Sequence, residues 1–396
     1  MGISDSMIET TATSKHFLGM SPAAFLRDYW QQRPLLIRNA FAEFSSPLAP
    51  DDLAGLACED FALSRLIAHN PASDRWTVRN GPFAETDFAD LPESHWTLLV
   101  QDVDKWDADV AGLLGHFDFL PSWRVDDVMV SYAEDGGSVG AHVDHYDVFL
   151  IQGLGRRRWQ INTDANAPKR FRDDVELKLL SEFTPSHEWL LGPGDMLYLP
   201  PGIAHHGIAE GACLTFSVGM RAPAVAEMIT DFAGFVAERM ADEMRYSDAR
   251  ILPAKAAGEI DDKALEKIGQ TLRDSLAVDA STLRGWFGSF ITRYRAAHEA
   301  VPRSKPLNPA EFIRRLAAGA QLQFNPWTRL AWSKAARGAT LFVAGEAYPC
   351  PRSLAERICG RATLESSELA TLDTASLDLL LTLVNAGHLA LSRSRS

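Results

Sequence analysis

The period of the apolar residues changes twice along the chain. Phe25, Leu26 and Tyr29 fall at helical spacing behind Ser21-Pro22, a serine cap followed by a proline in the first turn. Pro34 ends that helix, and Leu35-Leu36-Ile37 reads as a short buried strand. From about Trp96 to Val218 strand signals dominate. HWTLLVQDV, DDVMVSYA, AHVDHYDVFLIQG, RRRWQIN, DMLYLPPG and ACLTFSVGM are apolar or alternating runs punctuated by Gly, Pro and Asp. Many short strands without interleaved helices predict an antiparallel barrel or sandwich rather than a doubly wound sheet. After Arg221-Ala222-Pro223 the period becomes 3.6. Val225, Met228, Ile229, Phe232, Phe235 and Val236 predict a helix over 224–243. Leu265, Ile268, Leu272 and Leu276 predict a second helix, and Leu283, Phe287, Phe290 and Tyr294 a third. Such a block cannot bury much alone, so it is expected to pack on the barrel or on a second copy of itself.

Val301-Pro302-Arg303-Ser304-Lys305-Pro306 reads as a linker. A helix from Asn308-Pro309 to Gly319 follows it. Short strands near Leu322–Phe324, Arg329–Trp332 and Leu341–Ala344 come next, then helices over 352–359 and 374–387. That order fits a winged-helix-like module. The expected organisation is a disordered lead-in over 1–20, a mainly β domain over 21–223, a helical domain over 224–303 and a winged-helix-like domain over 304–396, ending in a frayed SRSRS tail.

Composition narrows the functional classes. Lys plus Arg total 39 against 52 Asp plus Glu, a formal charge of −13, which disfavours a nucleic-acid backbone as direct partner and attracts a basic one. Cys58, Cys213, Cys350 and Cys359 form no Cys-x-x-Cys pair, so a zinc ribbon and a disulfide scaffold are both disfavoured. MGISDSMIETTATSKHF lacks the features of a signal peptide, and no run of 18 apolar residues occurs. The expectation is a cytoplasmic protein with no membrane contact.

Three His-x-Asp triplets occur: His116-Phe-Asp118, His142-Val-Asp144 and His145-Tyr-Asp147. Context selects the middle one. A glycine-rich turn, Gly136-Gly137-Ser138-Val139-Gly140, feeds a strand, and residues two apart on a strand share a face. His142 and Asp144 can therefore both face a barrel interior, while His145 and Asp147 have the opposite parity and face away. His116, beside a proline and without a glycine turn, reads as a packed or surface residue. GPGDMLYLPPGIAHH supplies a third ligand from a distant strand, His205 or its neighbour His206, only one of which can point inward. Two histidines and one carboxylate on one side of a metal are the pattern of non-haem Fe(II) oxygenases, with zinc a rival on ligands alone. Arg156-Arg157-Arg158-Trp159 follows the metal strand across Gly153-Leu-Gly155. Alternation lets either Arg157 or its two neighbours face inward to hold a carboxylate, and a solvated edge is the other reading.

With these residues in hand, the chain resembles the bacterial ribosomal oxygenases, JmjC-type cupin arginine hydroxylases of large-subunit ribosomal protein uL16. The resemblance is carried by FLRDYWQQRPLLIRNAF, by HVDHYDVFLIQGLGRRRW and by GPGDMLYLPPGIAHHG followed by FSVGMRAP, and it spans nearly the whole chain. It implies a double-stranded β-helix catalytic domain over 21–223, an all-α dimerisation domain and a C-terminal winged helix, assembled as a homodimer. It implies Fe(II) at His142, Asp144 and His205, and 2-oxoglutarate at Arg157, with O2 as the third reactant. Thr215 is implied as a further co-substrate contact, where relatives tend to have Asn. Ala133 stands where a serine hydroxyl is common, and Asp126 matches the family's substrate-side acid. The implied reaction is hydroxylation of an arginine side chain with release of succinate and carbon dioxide. A histidyl or asparaginyl hydroxylase or a demethylase would share the same ligands. A non-catalytic cupin sensor with a DNA-binding winged helix is the third reading, disfavoured by the acidic charge.

Overall fold

The structure, a computed structural model, describes residues 8–249, 251–253, 256–294, 298–360, 363–369 and 371–393. The chain divides into two compact units, Met1–Ala222 and Pro223–Ser396.

The first unit is built on one sheet. Its strands are β1 (Glu9–Thr11), β2 (Leu35–Arg38), β3 (Ser64–Asn70), β4 (Arg75–Asn80), β5 (Trp96–Val100), β6 (Val125–Ala133), β7 (His142–Val143), β8 (Val148–Asn162), β9 (His187–Leu191), β10 (Met196–Leu199) and β11 (Ala204–Met220). Their order is β1-β2-β10-β8-β11-β6-β5-β3-β4, with β7 on β11 and β9 on β8. Five helices accompany them: α1 (Pro22–Asp28), α2 (Pro50–Ala57), α3 (Glu85–Ala89), α4 (Val103–Trp106) and α5 (Ala108–Gly112). Ser21 caps α1 by accepting from the Ala24 N–H, as the Ser-Pro signal predicts.

The strands are apolar on both faces because both are covered. One face packs Phe25, Tyr29 and Phe117 against Val128, Val130, Phe149, Ile151, Tyr198 and Phe216. The other gathers Leu36, Val148, Leu150, Trp159, Ile161, Leu191, Leu197 and Leu199. The sheet bends where β8 and β11, the two longest strands, pair along most of their length. Gly155 makes the bend in β8: its φ is +61°, and a Cβ there would sit 2.0 Å from the Ala212 carbonyl oxygen. The Gly153-Leu-Gly155 turn expected from the sequence is thus a bend within one continuous strand.

Two expectations are corrected here. The stretch assigned to a disordered lead-in contains β1, which pairs in parallel with β2, and Leu18 is buried. The β-branched Thr10-Thr11 pair suits an edge strand, a signal too short to register as a period. Residues 1–7 lie outside the described residues. The single strand read through AHVDHYDVFLIQG is interrupted after Val143 and resumes at Val148.

The second unit opens with α6 (Val225–Ala237), α7 (Asp262–Leu276) and α8 (Ala280–Arg293). α6 is shorter than the 224–243 expected: it ends at Ala237 and turns follow it, although Met240 and Met244 continue the apolar row of Val236 in the sequence. α9 (Pro309–Ala317), β12 (Ala320–Phe324), β13 (Leu330–Lys334), β14 (Ala339–Val343), β15 (Glu346–Cys350), α10 (Arg352–Gly360), β16 (Thr363–Leu364), α11 (Ser366–Leu369), α12 (Thr374–Asn385) and β17 (Leu389–Arg393) follow. The strands form two small sheets, β16-β12-β17 and β13-β14-β15. β17 takes in Ser392 and Arg393, the first residues of the expected frayed tail, and residues 394–396 lie outside the described residues. α8 packs on the second sheet. Gly288 admits the Phe342 ring, which a Cβ would meet at 2.3 Å, and the Gly345 N–H donates to Thr292 Oγ1 at 3.0 Å. The proline-containing stretch near 304 therefore falls inside one packed unit.

Candidate metal and co-substrate site

β7 and β11 pair with His142 opposite His205, which sets the two imidazole rings 4.2 Å apart. His142 Nδ1 lies 3.0 Å from the Gly140 carbonyl oxygen, and His205 Nδ1 lies 3.0 Å from that of Ile203. A carbonyl can only accept, so each Nδ1 carries the proton and each Nε2 presents a lone pair. Both lone pairs meet one carboxylate: Asp144 Oδ2 is 3.9 Å from His142 Nε2 and 3.6 Å from His205 Nε2. Burial, and then the neighbouring His142, push the His205 imidazole well below its ordinary pKa, which keeps it the neutral ligand a metal needs. One ligand atom from each of the three residues lies within 4.8 Å of the other two.

Asp144 is just past the end of β7, so strand alternation alone does not aim it. The Gly202 N–H, in the PPG turn ahead of His205, donates to the Asp144 carbonyl at 2.8 Å and ties the two ligand segments together. His206 stands outside the cluster, edge-on to Phe183, its pKa pushed down to about 4 by burial and by His142. His116 packs against Phe41, the reading expected for it. Asp147 faces away from the metal ligands yet is fully buried. It accepts from Tyr198 Oη at 2.7 Å and from Gln31 and Arg124 at 3.0 Å each.

The arginine parity is settled by burial. Arg158 points outward to Glu188 and Glu210, and Arg156 is exposed. Arg157 is buried, with one amine donating to Ser131 Oγ at 3.2 Å. Its Nε and second terminal nitrogen are buried with no protein partner. A buried guanidinium with donors left over is costly unless an anion completes it. Ser131 pairs with Thr215 across β6 and β11, and Thr215 pairs with Gln152 across β11 and β8. Thr215 donates to Gln152 Oε1 at 3.1 Å. A polar row thus lies on the metal-bearing face beside Arg157. Ser131 and Gln152 were missed in the sequence because single uncharged polar residues in apolar strands carry no pattern. Ala133 indeed lacks a hydroxyl, but Ser131, two residues earlier on the same face, brings one to the arginine.

Asp126 is turned to the other face of β6, where Arg221 Nε donates to it at 3.1 Å. Its neighbour Asp127 has the parity of Ser131. Burial and the Asp102 carboxylate raise the Asp127 carboxyl to about 7, against one donor, the Asp102 N–H at 3.1 Å. Tyr146, 41% exposed, feels both Asp144 and Asp127, which together with burial raise its hydroxyl pKa. Asp127 therefore borders the metal site.

The donors fit the expected groups. Two imidazole nitrogens and one carboxylate oxygen suit Fe(II) with open positions, and the incomplete guanidinium suits a dicarboxylate reaching from that metal.

Comparison with known proteins agrees. Residues 112–228 match the JmjC domain family and residues 273–390 the ROXA-like winged helix. The chain is 35% identical to the ribosomal protein uL16 3-hydroxylase of Escherichia coli K12, over 92% of this chain and 96% of that protein. It is 37% identical to a probable ribosomal oxygenase of Haemophilus influenzae, over 65% of each. The structure of the E. coli ribosomal oxygenase YcfD in complex with cobalt and 2-oxoglutarate matches with a TM-score of 0.82 at 33% identity, covering 95% of this chain and 99% of that one.

Proposed function

The chain belongs to the JmjC-type ribosomal oxygenases, and from that premise we propose that it is an Fe(II)- and 2-oxoglutarate-dependent hydroxylase of an arginine side chain in ribosomal protein uL16. The observation that carries the reading is the incomplete guanidinium of Arg157 on the same face as His142, Asp144 and His205. Together with 2-oxoglutarate and O2, the bound iron supplies the oxidising power that inserts oxygen into a C–H bond while the co-substrate leaves as succinate and carbon dioxide.

The protein residues divide the remaining work. His142, Asp144 and His205 hold the metal from one side. Arg157, steadied by Ser131, grips the far carboxylate of 2-oxoglutarate, and Thr215 with Gln152 lines its path. Trp159, whose ring lies 5.9 Å from the Arg157 guanidinium and 6.0 Å from the His205 ring, keeps water from this charged wall. Asp127 takes the substrate guanidinium, a role expected of Asp126 from the sequence. The acidic net charge draws in a basic ribosomal protein, and the site of action is the cytoplasm. The working unit is a homodimer formed through the helical region.

The test is mass spectrometry of uL16 after incubation with Fe(II)-loaded protein, 2-oxoglutarate and O2. The expected result is one added oxygen on an arginine, lost with Asp144→Ala. An oxygen on a histidine or asparagine instead would reassign the substrate.

A further inference from the structure

The strand that presents His142 is only two residues long, His142–Val143, and among the described strands it pairs with β11 alone. So short a ladder gives a metal ligand little support of its own. Asp144 lies beyond the strand end altogether. Both ligands therefore depend on what holds the backbone around them.

That hold comes from 163–186, the irregular stretch between β8 and β9. Connections of this length without regular structure are uncommon in a compact domain and usually have a task. This one folds back on itself: the Arg172 N–H donates to the Leu179 carbonyl at 2.8 Å, and the Ser181 N–H to that of Arg170 at 2.9 Å. Leu179 and Leu180 are buried. The Leu180 N–H donates to the Ala141 carbonyl at 2.8 Å, one residue ahead of His142. Leu179 lies against Gly140, where a Cβ would meet its Cδ2 at 2.6 Å. Gly140 is the residue whose carbonyl fixes the His142 Nδ1 proton. Lys169 Nζ donates to the Gly202 carbonyl at 2.9 Å, and the Gly202 N–H in turn donates to the Asp144 carbonyl. Arg172 ties the segment to Asp74, in the turn between β3 and β4, at 2.8 Å. One stretch of chain thus reaches the peptides that orient two of the three ligands.

We infer that 163–186 is a brace for the metal centre, in which Leu179 positions His142 through Gly140 and Lys169 positions Asp144 through Gly202. The inference rests on His142, Asp144 and His205 being the metal ligands and adds what holds two of them in place.

The test is Co(II) titration of the full metal-free chain, followed by the visible absorption of the bound ion. Groups that orient a metal ligand are commonly worth about 10- to 100-fold in affinity. Leu179→Ala is expected to raise the Co(II) Kd about tenfold and to alter the absorption band. Lys169→Met, which removes one exposed hydrogen bond, should raise Kd about threefold and leave the thermal midpoint of the metal-free protein unchanged, and Lys169→Arg should restore the affinity. Leu53→Ala, at a buried leucine of α2, controls for a general loss of stability. It should lower the midpoint and leave Kd as in the wild type. If the wild type binds Co(II), His205→Ala does not, and Leu179→Ala and Lys169→Met bind as tightly as the wild type, the brace is wrong and the ligand assignment stands. A Kd raised as much by Leu53→Ala as by Leu179→Ala also overturns the brace. If the wild type does not bind Co(II), the ligand assignment fails and the brace falls with it.

Discussion

Arg157 and Asp127 show how much one buried charge constrains. Arg157 lacks partners for two of its nitrogens, and a lysine there would keep the charge while losing the planar fork that grips a carboxylate. Arg157→Lys is expected to raise KM for 2-oxoglutarate about 10- to 100-fold, the equivalent of one or two charge-assisted hydrogen bonds, in a succinate-formation assay. An unchanged KM would remove Arg157 from the co-substrate site. Asp127 titrates at about 7, whereas the unfolded chain titrates near 3.8. Between those values the folded protein holds a proton that the unfolded chain has lost, so stability falls as pH rises through the window. Asp127→Asn should melt above the wild type at pH 8, with the gap closing toward pH 4. A bound guanidinium acts in the opposite sense and favours the carboxylate, so KM for uL16 should fall as pH rises through about 7. That dependence should vanish in Asp127→Asn. At this scale the sequence was informative where context singled out residues that the fold brings together: His142 and Asp144 behind a glycine-rich turn, and His205 through the family resemblance. It could not separate Asp126 from Asp127, because the pairing of β6 with β11 shifts register at these two residues, and only the fold shows Asp126 against Arg221 and Asp127 against Gly219.

Elements carry these residues to one place, and the long bent strands do most of it. β8 turns through Gly155 two residues before Arg157, so the bend in the strand also aims the guanidinium. Gly155→Ala forces a left-handed backbone on an L-residue and drives its Cβ against the Ala212 carbonyl. The expected loss is about 1–3 kcal/mol from backbone strain alone, read as a lower urea midpoint with an unaltered slope. A midpoint equal to that of the wild type would mean that the bend relaxes freely. The glycines were visible in the sequence as punctuation, yet they read as a turn between two strands, since a bend inside a continuous ladder depends on pairing with β11 that no local pattern encodes. The same reason hid β1, three residues that among the described strands pair with β2 alone. Helices were easier, because a cap and a 3.6 period are local: Asn308 caps α9 and Asp373 caps α12 through their own side chains.

At the scale of the molecule the unanswered surface is α7. Its 15 residues include none that is buried, and Leu265, Ile268 and Leu272 make a stripe that is 42–58% exposed. A helix of that length is marginal in water without a packed face, so a stripe left open among the described residues offers a surface for self-association. A second copy offers the same stripe, and a twofold contact lets each helix cover the other. The sequence displayed the stripe but left open whether the barrel or another copy covers it, a question that depends on the assembled chain and not on any period. Leu265→Glu with Leu272→Glu should convert a dimer to a species of half the mass in sedimentation experiments. Each like-charged glutamate would face its symmetry mate across the contact, where neither charge has a partner. The metal ligands all lie in the first unit, so the separated protomer should still bind Mn(II), observed as a rise in its thermal midpoint on metal addition. A wild-type chain that sediments as a monomer at micromolar concentration would remove α7 as a self-association surface, and a charged variant that stays dimeric would move that contact elsewhere.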